Sequence, residues 1–422
     1  MITRSYFSRI HYFRNFATYP INNEMIGLTP DQIEFRENIK KFCDEKIVPI
    51  AAKIDEVDKL ENIREVWRDL GSMGLHGITA PEKYGGLNLG YFDHCLAVEE
   101  ISRASGSIGL SYGAQSNLCI GQIARHGNED QCSRYLPKLI SGEYIGSLAM
   151  SEADYGSDIM HMKTTAVKKG DHYVINGTKF WITNGPDSDV VLVYARTDLD
   201  NPNPQRGISA FLVETKSKGF SIGQKIEKLG MRGSHTGELI FENVEVPKEN
   251  LLGKENNGAF ILMSGLDFER LVLSGVPLGL MQAACDCAFS YAQTRKSFGK
   301  TIGEHQMIQW LMADMAVSLS TSRAYTYSLA RMLDDRKKSG KETLGKGTDT
   351  NLDCAGSILY AAEKSTEVAL KAIQILGGAG YTKWYPVERI MRDAKLLEIG
   401  AGTSEIRRMI IARSINQTMK FD

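Results

Sequence analysis

The chain has 422 residues, of which 42% are hydrophobic and 24% are charged, and its net charge at pH 7 is −1. This composition is typical of a globular protein with room for two or three domains. The balanced charge gives no electrostatic basis for binding nucleic acid. No apolar run approaches the roughly 18 residues that a transmembrane helix needs, so no membrane span is expected.

The cysteines give no sign of a metal site. The seven of them contain no CxxC pair and no zinc-like spacing. Cys285 and Cys287 lie two residues apart on a predicted helix, so they point to nearly opposite sides. We expect free thiols in a reducing compartment and no bound metal.

The first residues differ from the rest of the chain. They carry Arg4, Arg9 and Arg14 among aromatic and hydroxyl side chains, and no acid precedes Glu24. Such an Arg-rich, acid-free leader is typical of a mitochondrial transit peptide, and a disordered basic arm is the alternative. We assign residues 1–24 to a transit peptide, exclude them from the fold and expect the protein in the mitochondrial matrix.

Residues 25–145 are predicted to form an α-helical domain. Thr29–Gln32 supplies a hydroxyl N-cap, a proline at the first helical position and a glutamine at the third. Apolar residues then recur at helical spacing, at Ile39, Phe42, Cys43, Ile47 and Ile50.

Residues 146–255 are predicted to form an antiparallel β-domain, a small sandwich or barrel. Short β-branched and aromatic runs over 173–175, 190–194 and 210–213 alternate with the turn pairs Asn176-Gly177 and Asn184-Gly185. A parallel dinucleotide-binding sheet would need helices between its strands, and the pattern contains none.

Residues 256–422 are predicted to be helical again. Long amphipathic stretches cover 278–298, 304–334 and 353–376, and the polar, Gly-rich segment 334–350 is expected to be an exposed loop. The order of helices, β-module and helices predicts an α+β fold that is mainly α.

Glu269 is the first candidate for chemistry. It lies on a predicted helical face with Leu262, Leu266, Val272 and Leu273. Burial among apolar side chains should raise its pKa above the usual value of about 4.3, and such a carboxylate can accept a carbon-bound proton. A buried glutamate paired with an arginine of another helix is the structural alternative.

Two further segments are candidates for binding. In Glu398–Arg408, two glycines permit close backbone approach, and Thr403 or Ser404 can cap the next helix, whose free N–H groups could bond an anion or a carbonyl. Trp181 and Thr183 share one face of a predicted strand and could stack beside a planar cofactor and bond its edge. An ordinary helix cap and a core tryptophan are the respective alternatives.

In their joint order these segments resemble the acyl-CoA dehydrogenase family over nearly the whole chain after the leader. The resemblance rests on 148–152, 156–158, 181–185, 229–234, Arg295, 298–299, Gln306, 374–378 and 392–403. It implies a helical N-terminal domain, a middle β-domain and a C-terminal four-helix bundle. It also implies a homotetramer that holds FAD between its subunits.

The resemblance assigns cofactor-binding residues in three groups. The flavin is expected to be lined by Leu148, Ala149, Met150, Ser151, Ser157, Trp181, Ile182 and Thr183, with the Thr183 hydroxyl near N5. The FAD of a neighbouring subunit is expected to be contacted at its diphosphate and adenosine by Arg295, Gln306, Gln374, Ile375, Leu376, Gly377 and Gly378. The flavin of the same subunit is expected to meet Thr403, Ser404 and Glu405.

The resemblance also distinguishes the catalytic base. Most members carry it in a Tyr-Glu-Gly-Thr segment, which here reads Gly400-Ala401-Gly402-Thr403, and alanine cannot take a proton. Members that act on isovaleryl-CoA or on long-chain substrates place the glutamate at the position of Glu269, which is therefore the expected base. The substrate is expected to contact Ser157, Phe260, Asp267, Phe268, Arg270, Gly400, Ala401 and Gly402.

The expected reaction is the FAD-dependent α,β-dehydrogenation of a short branched acyl-CoA. Gly400 replaces the usual tyrosine and leaves space for a chain branched at C3, which suits isovaleryl-CoA. In such a pocket one misplaced methylene alters binding by about 1–3 kcal/mol. Electron-transferring flavoprotein is the expected acceptor. The alternatives are another short, medium or 2-methyl-branched substrate, an acyl-CoA oxidase, and a non-enzymatic scaffold. Three departures from the pattern are Phe260, which stands where members that act on isovaleryl-CoA have a tyrosine, the bulkier 153–155 loop, and the polar loop from Asp334, which is longer than expected.

Overall fold

A computed structural model of the protein describes residues 16–340 and 349–419. Most of the predicted leader, residues 1–15, lies outside the described residues. The described chain forms helices, then a β-sheet, then helices, which confirms the predicted fold class.

Within the described residues, the first helical part contains seven α-helices, joined in places by short 3₁₀ and π turns. They are α1 (Pro30–Phe42), α2 (Val48–Val57), α3 (Ile63–Ser72), α4 (Tyr91–Ala104), α5 (Gly106–Gly113), α6 (Gly121–His126) and α7 (Glu129–Ile140). The predicted start of α1 is confirmed. The Thr29 hydroxyl accepts the Gln32 N–H, and the Gln32 side chain accepts the Thr29 N–H, each at 3.2 Å.

The middle part is one sheet of eight strands in the order β6-β7-β3-β2-β4-β5-β8, with β1 pairing β4 from outside this path. The strands are β1 (Gly146–Ala149), β2 (Thr165–Lys169), β3 (His172–Thr183), β4 (Val190–Arg196), β5 (Ile208–Glu214), β6 (Phe220–Lys225), β7 (Thr236–Pro247) and β8 (Leu251–Leu252). The pairing is antiparallel as predicted, except where β1 and one residue of β2 meet β4 in parallel.

The last part is helical again. A two-stranded ribbon, β9 (Lys296–Ser297) and β10 (Lys300–Thr301), lies between its second and third helices. The helices are α8 (Gly258–Leu273), α9 (Gly275–Thr294), α10 (Gln306–Lys338), α11 (Asp349–Leu376), α12 (Val387–Leu396) and α13 (Ser404–Thr418). The other helices of this part, α8, α9, α10, α12 and α13, all pack against α11. One apolar cluster joins this bundle to α1 and α4.

The predicted exposed loop over 334–350 is wrong in its first part. Helix α10 continues to Lys338, and Asp334 is buried at 8% exposure. Its carboxylate accepts the N–H groups of Tyr91 and Phe92 at 2.7 and 2.9 Å and so caps the start of α4. The segment is polar, as the sequence analysis noted, but the Asp334 carboxylate caps a helix that is distant in sequence. Residues 341–348 lie outside the described part.

The continuous helical stretch Gly258–Thr294 is long and apolar enough, by length and composition alone, to cross a membrane. The sequence-based statement that no run approaches this length therefore needs correction. Since 94% of its most apolar window is buried inside the protein, the stretch has the environment of a core helix pair.

Residues 16–24 belong to the fold, so their exclusion with the leader was wrong. The Tyr19 N–H donates to Asp286 at 2.7 Å, and the Gln282 amide donates to the Tyr19 carbonyl at 2.9 Å. The Tyr19 ring meets Phe289 edge-on with centroids 5.1 Å apart. Burial raises the pKa of Asp286 to about 6, and the Tyr19 N–H opposes that rise. The segment therefore satisfies a buried carboxyl of α9.

Deleting residues 1–24 should destabilise the protein by about 1–3 kcal/mol more than deleting residues 1–15, because only the longer deletion leaves Asp286 without the Tyr19 N–H. Urea denaturation of the two deletion variants measures this difference. Equal midpoints and slopes for the two would contradict it.

Candidate active site

A cavity of about 1290 Å³ lies between the middle sheet and helices α8, α12 and α13. Fifteen of the predicted site residues line it: Leu148, Met150, Ser151, Ser157, Trp181, Ile182, Thr183, Phe260, Asp267, Glu269, Arg270, Gly400, Ala401, Gly402 and Thr403. Segments distant in sequence thus converge on one space.

Glu269 is buried in α8 at 8% exposure and faces this cavity. Its Oε2 atom is buried and has no hydrogen-bond partner among the described residues. Burial raises the pKa of Glu269 to about 7, while the positive charges of Arg270 and Arg407 oppose the rise. No described cation lies within ion-pair distance of the carboxylate, which excludes the structural alternative of a paired glutamate within the described chain.

Arg270, the next residue, does not neutralise Glu269 because it is already paired. Its guanidinium donates to Asp267 at 2.7 Å and to the Asn351 side chain at 3.3 Å. Both members of the Arg270–Asp267 pair are buried. The pair leaves the glutamate with an unused acceptor atom beside the cavity.

Phe268 does not contribute to the cavity wall, so its predicted contact with substrate is not supported. Its ring is 1% exposed and stacks on Tyr91, with ring centroids 4.3 Å apart and planes 11° apart. The helix turns this side chain toward the core when it turns Glu269 toward the cavity, since adjacent helical residues point in different directions.

Phe260 does line the cavity, and its ring is 56% exposed. It lies at the first turn of α8, beside His126, with ring centroids 6.2 Å apart. An apolar ring open to the cavity fits a contact with an alkyl or thioester group better than a core position.

The sheet contributes an open aromatic surface. Trp181 is 55% exposed and has a positive φ of 65°, at a register shift between Lys179 and Ile182 in the β3–β7 pairing. The bulge turns the indole out of the sheet core, which is a common role of bulges near active sites. The alternative of a core tryptophan is therefore wrong. An open indole beside a cavity of this size fits a planar isoalloxazine ring.

A buried ion pair anchors the neighbouring segment, Met150–Glu152. Lys179 of β3 is 0% exposed and donates to the Met150 carbonyl and to the Glu152 carboxylate, both at 3.0 Å. Glu152 also accepts the N–H groups of Lys163 and Thr164 at 2.7 and 2.9 Å. Burial lowers the pKa of Lys179 to about 8, although Glu152 opposes this. The sequence analysis missed Lys179; a lysine inside a predicted buried strand is the signal that identifies it.

The loop before α13 supplies backbone groups. Ala401 and Gly402 have φ values of 56° and 89°. The Thr403 hydroxyl accepts the Ile406 N–H at 3.2 Å and caps α13, as expected for one of the two candidates. Among the described residues, no acceptor bonds the Ala401 N–H. Ser404 is buried, and its hydroxyl has no described partner, whereas Glu405 is exposed and lies outside the cavity wall.

The other predicted cofactor residues lie outside this cavity. Ala149 packs in the sheet core, while Ile375 and Leu376 are buried in the helical bundle. Arg295, Gln306, Gln374, Gly377 and Gly378 are exposed on the outside of the bundle. Their expected contact with a cofactor held by a neighbouring subunit stays a prediction.

Asn117 is a cavity residue that sequence reasoning missed. It lies in the π turn after α5, is 2% exposed, and neither polar atom of its amide has a described partner. Its neighbours Leu110, Ala114 and Leu118 give this end of the cavity an apolar wall. No motif marked the residue, because only the tertiary structure brings it to the cavity.

Lys179→Met should destabilise the protein by about 3–5 kcal/mol, because it leaves the Glu152 carboxylate buried without its cation. Denaturant unfolding measures the loss, and the ratio of flavin to protein should fall with it. Lys169→Met, which removes an exposed lysine of the adjacent strand, is the matched control. Equal stability of the two variants would show that the pair does not hold the segment.

The fold and the cavity together define a class of protein. One cavity combines an unpaired carboxylate with a raised pKa, an exposed indole and a backbone N–H without a described acceptor. These are the parts of a flavin-dependent dehydrogenase that removes a carbon-bound proton.

Comparison with known proteins shows the family. Models of the acyl-CoA dehydrogenase N-terminal, middle and C-terminal domains match residues 29–143, 147–244 and 256–416. The chain belongs to the acyl-CoA dehydrogenase family, whose members are FAD-dependent enzymes. The cavity residues described above are those that would hold the flavin in this chain.

Individual relatives are similar over most of their length. The chain is 54% identical over 403 residues to mitochondrial isovaleryl-CoA dehydrogenase of Pongo abelii, covering 96% of this chain and 93% of that one. It is 52% identical over 388 residues to mitochondrial 2-methylacyl-CoA dehydrogenase of Solanum tuberosum, covering 92% and 91%. The structure of butyryl-CoA dehydrogenase from Megasphaera elsdenii superimposes with a TM-score of 0.86 at 33% identity, covering 94% and 100%.

Proposed function

We propose that the protein catalyses the α,β-dehydrogenation of isovaleryl-CoA to 3-methylcrotonyl-CoA, a step of leucine catabolism, with Glu269 as the base. The observation that carries the proposal is the state of Glu269, which is buried, unpaired and raised in pKa to about 7 on the cavity wall. The similarity to isovaleryl-CoA dehydrogenase of Pongo abelii supports the choice of substrate.

The chain's residues perform three tasks in this reaction. Glu269 removes the proton from the carbon next to the thioester. The Ala401 N–H, which has no acceptor among the described residues, donates to the thioester carbonyl and stabilises the charge that develops there. The sheet wall at Met150, Trp181 and Thr183 orients the flavin and keeps water away from it. Bound FAD supplies the acceptor for the hydride of the β-carbon.

The preference for a branched chain rests on the space at Gly400. A Cβ atom added there would meet nothing closer than the Leu396 carbonyl oxygen at 3.5 Å, so a larger residue would project toward the cavity. Its absence leaves room for a methyl branch, and one methylene of fit changes binding by about 1–3 kcal/mol.

A 2-methyl-branched substrate is the second candidate, since the 2-methylacyl-CoA dehydrogenase of Solanum tuberosum is nearly as similar. Anaerobic titration with isovaleryl-CoA, 2-methylbutyryl-CoA and hexanoyl-CoA separates them. The proposal expects isovaleryl-CoA to bleach the flavin fastest. Faster bleaching by 2-methylbutyryl-CoA would transfer the assignment to that substrate. Formation of stoichiometric peroxide during turnover in air would indicate an acyl-CoA oxidase instead. Failure of the purified protein to take up FAD would indicate a non-enzymatic scaffold.

Assembly and partners complete the proposal. We infer a homotetramer in which Arg295, Gln306 and residues 374–378 reach the FAD of a neighbouring subunit, and electron-transferring flavoprotein as the acceptor. The exposed positions of Arg295 and Gln306 on the bundle support contact with another subunit. We also propose domains over 25–145, 146–255 and 256–422, with residues 16–24 packed on the last of them through Tyr19, and a location in the mitochondrial matrix.

Glu269→Gln should reduce the rate of flavin bleaching by isovaleryl-CoA by about 10²–10⁴-fold, since the amide cannot take the proton. Stopped-flow absorbance measures the rate, and binding of the CoA ester should persist because the two side chains have similar size. Glu367→Gln, which changes an exposed glutamate of α11, is the control. Substantial residual bleaching would place the base elsewhere.

The rate should rise with pH through about 7 and then level off. Burial raises the pKa of Glu269, so its reactive, ionised form is lost as the pH falls below that value, about tenfold for each pH unit. The charges that act on it are Arg270 of α8 and Arg407 of α13, and Arg270 is paired with Asp267. The pH dependence of kcat/KM measures this. A flat profile from about pH 5 to about pH 8 would contradict a base of this kind.

A further inference from the structure

Arg407 is a buried arginine that contacts the cavity loop without lining the cavity. It lies one turn into α13 and is 0% exposed. Its Nη1 donates to the Leu397 carbonyl at 2.7 Å, and its Nη2 donates to the Gly400 carbonyl at 2.9 Å. One guanidinium therefore ties α13 to two carbonyls of the loop between α12 and α13, and the second of them directly precedes Ala401.

The bond to Gly400 has a consequence for Ala401, because the two residues share a peptide unit. The Gly400 carbonyl and the Ala401 N–H belong to one planar group, and the described chain has no cis peptide bond. In a trans peptide, these two groups point in opposite directions. Fixing the carbonyl toward Arg407 in the protein interior thus directs the N–H away from Arg407, on the side where Ala401 lines the cavity.

We propose that Arg407 is the positioning residue for the thioester-binding N–H of Ala401, which it orients and polarises through the Gly400–Ala401 peptide. This inference rests on the proposed function. A charged donor on the carbonyl draws electron density from the peptide and strengthens its N–H as a donor.

The backbone of the loop shows why such a fixed point is needed. Ala401 holds a φ of 56°, a conformation that L-residues other than glycine adopt at a cost. The following Gly402 also has a positive φ, of 89°. A loop with two consecutive left-handed residues has other conformations available. Besides the Arg407 bonds, the described ties of this loop include the Ser404 N–H to the Glu398 carbonyl and the N–H groups of Ile399 and Gly400 to the Leu396 carbonyl. Among these bonds, only those of Arg407 hold the Gly400 carbonyl.

Arg407 also acts on Glu269 through its charge. Its positive charge lowers the pKa of Glu269, against the effect of burial. The Arg407 Nε atom has no described partner, and desolvation lowers the pKa of this guanidinium to about 10. The other charged groups around it are Arg270 of α8, Glu363 of α11 and Glu398 before the loop. One side chain therefore influences both the donor and the base.

Two substitutions separate these roles in the FAD-loaded enzyme. Arg407→Lys retains the charge but replaces the two-pronged donor by a single ammonium, whereas Arg407→Gln loses both. Arg408→Gln is the matched control, because Arg408 is the adjacent residue, is half-exposed and pairs with Glu363 on the surface. The probe is 3-methylcrotonyl-CoA with a ¹³C-labelled thioester carbonyl, whose stretching frequency is read by infrared difference spectroscopy.

The bound carbonyl should absorb at lower frequency than the free ester in the original protein and in Arg408→Gln. This shift should be at least about halved in both Arg407 variants, with a fall of about 10–100-fold in the flavin bleaching rate and little change in KM. The midpoint of the pH profile should stay in place in Arg407→Lys and move to higher pH in Arg407→Gln, because only the latter removes the charge near Glu269.

An unchanged carbonyl shift in the folded Arg407→Lys variant would overturn the proposal, whatever its stability. Lower melting temperature and flavin content with a normal shift and rate would show a structural role only. Failure of the proposed function gives a different result. In that case the unsubstituted protein itself would not be bleached by isovaleryl-CoA.

Discussion

The site depends on a carboxylate that is kept out of water and left without a partner. Glu269 is buried, and the nearest arginine in sequence is occupied by Asp267 and Asn351. Had Arg270 been free to pair with Glu269, the carboxylate would be stabilised in its charged form and would be a weak base. The Asp267–Arg270 pair therefore supports the chemistry by holding Arg270 away from Glu269, although it transfers no proton.

The two walls of the cavity are held by the same kind of interaction, a hydrogen bond from a buried cation to a backbone carbonyl. On the sheet side, the buried Lys179 ammonium binds the Met150 carbonyl. On the helical side, the buried Arg407 guanidinium binds the Gly400 carbonyl. In both places a desolvated cation fixes a backbone segment whose own secondary structure has ended. Such bonds are stronger than neutral ones, and they hold loop residues with the accuracy that regular elements usually provide.

The sequence was informative where local chemistry decides structure. The Thr29 cap, the three-part order and the burial of Glu269 all follow from residue patterns within about 15 positions, the range over which periodicity and capping act. Other features depend on contacts between distant residues. Asp334 seemed to belong to a loop because its partners, Tyr91 and Phe92, are 243 and 242 residues away. Residues 16–24 and the bulge at Trp181 depend on distant partners in the same way. Phe268 was assigned to the substrate by resemblance, and its position is set by packing on Tyr91.

The apolar cluster that joins the first and last helices has a consequence for how the chain is made. Helix α4 is buried on nearly all sides, largely against α9, which follows it by some 170 residues with the whole sheet in between. Whether the chain appears by synthesis or by import from its N-terminus, α4 precedes its partner, so its apolar faces stay uncovered until the sheet and α9 have followed. The sheet has an apolar core of its own and can assemble in that interval. The two helical parts can therefore pack on each other only after α9 has followed the sheet, and until then the uncovered apolar faces of α4 are sites for aggregation.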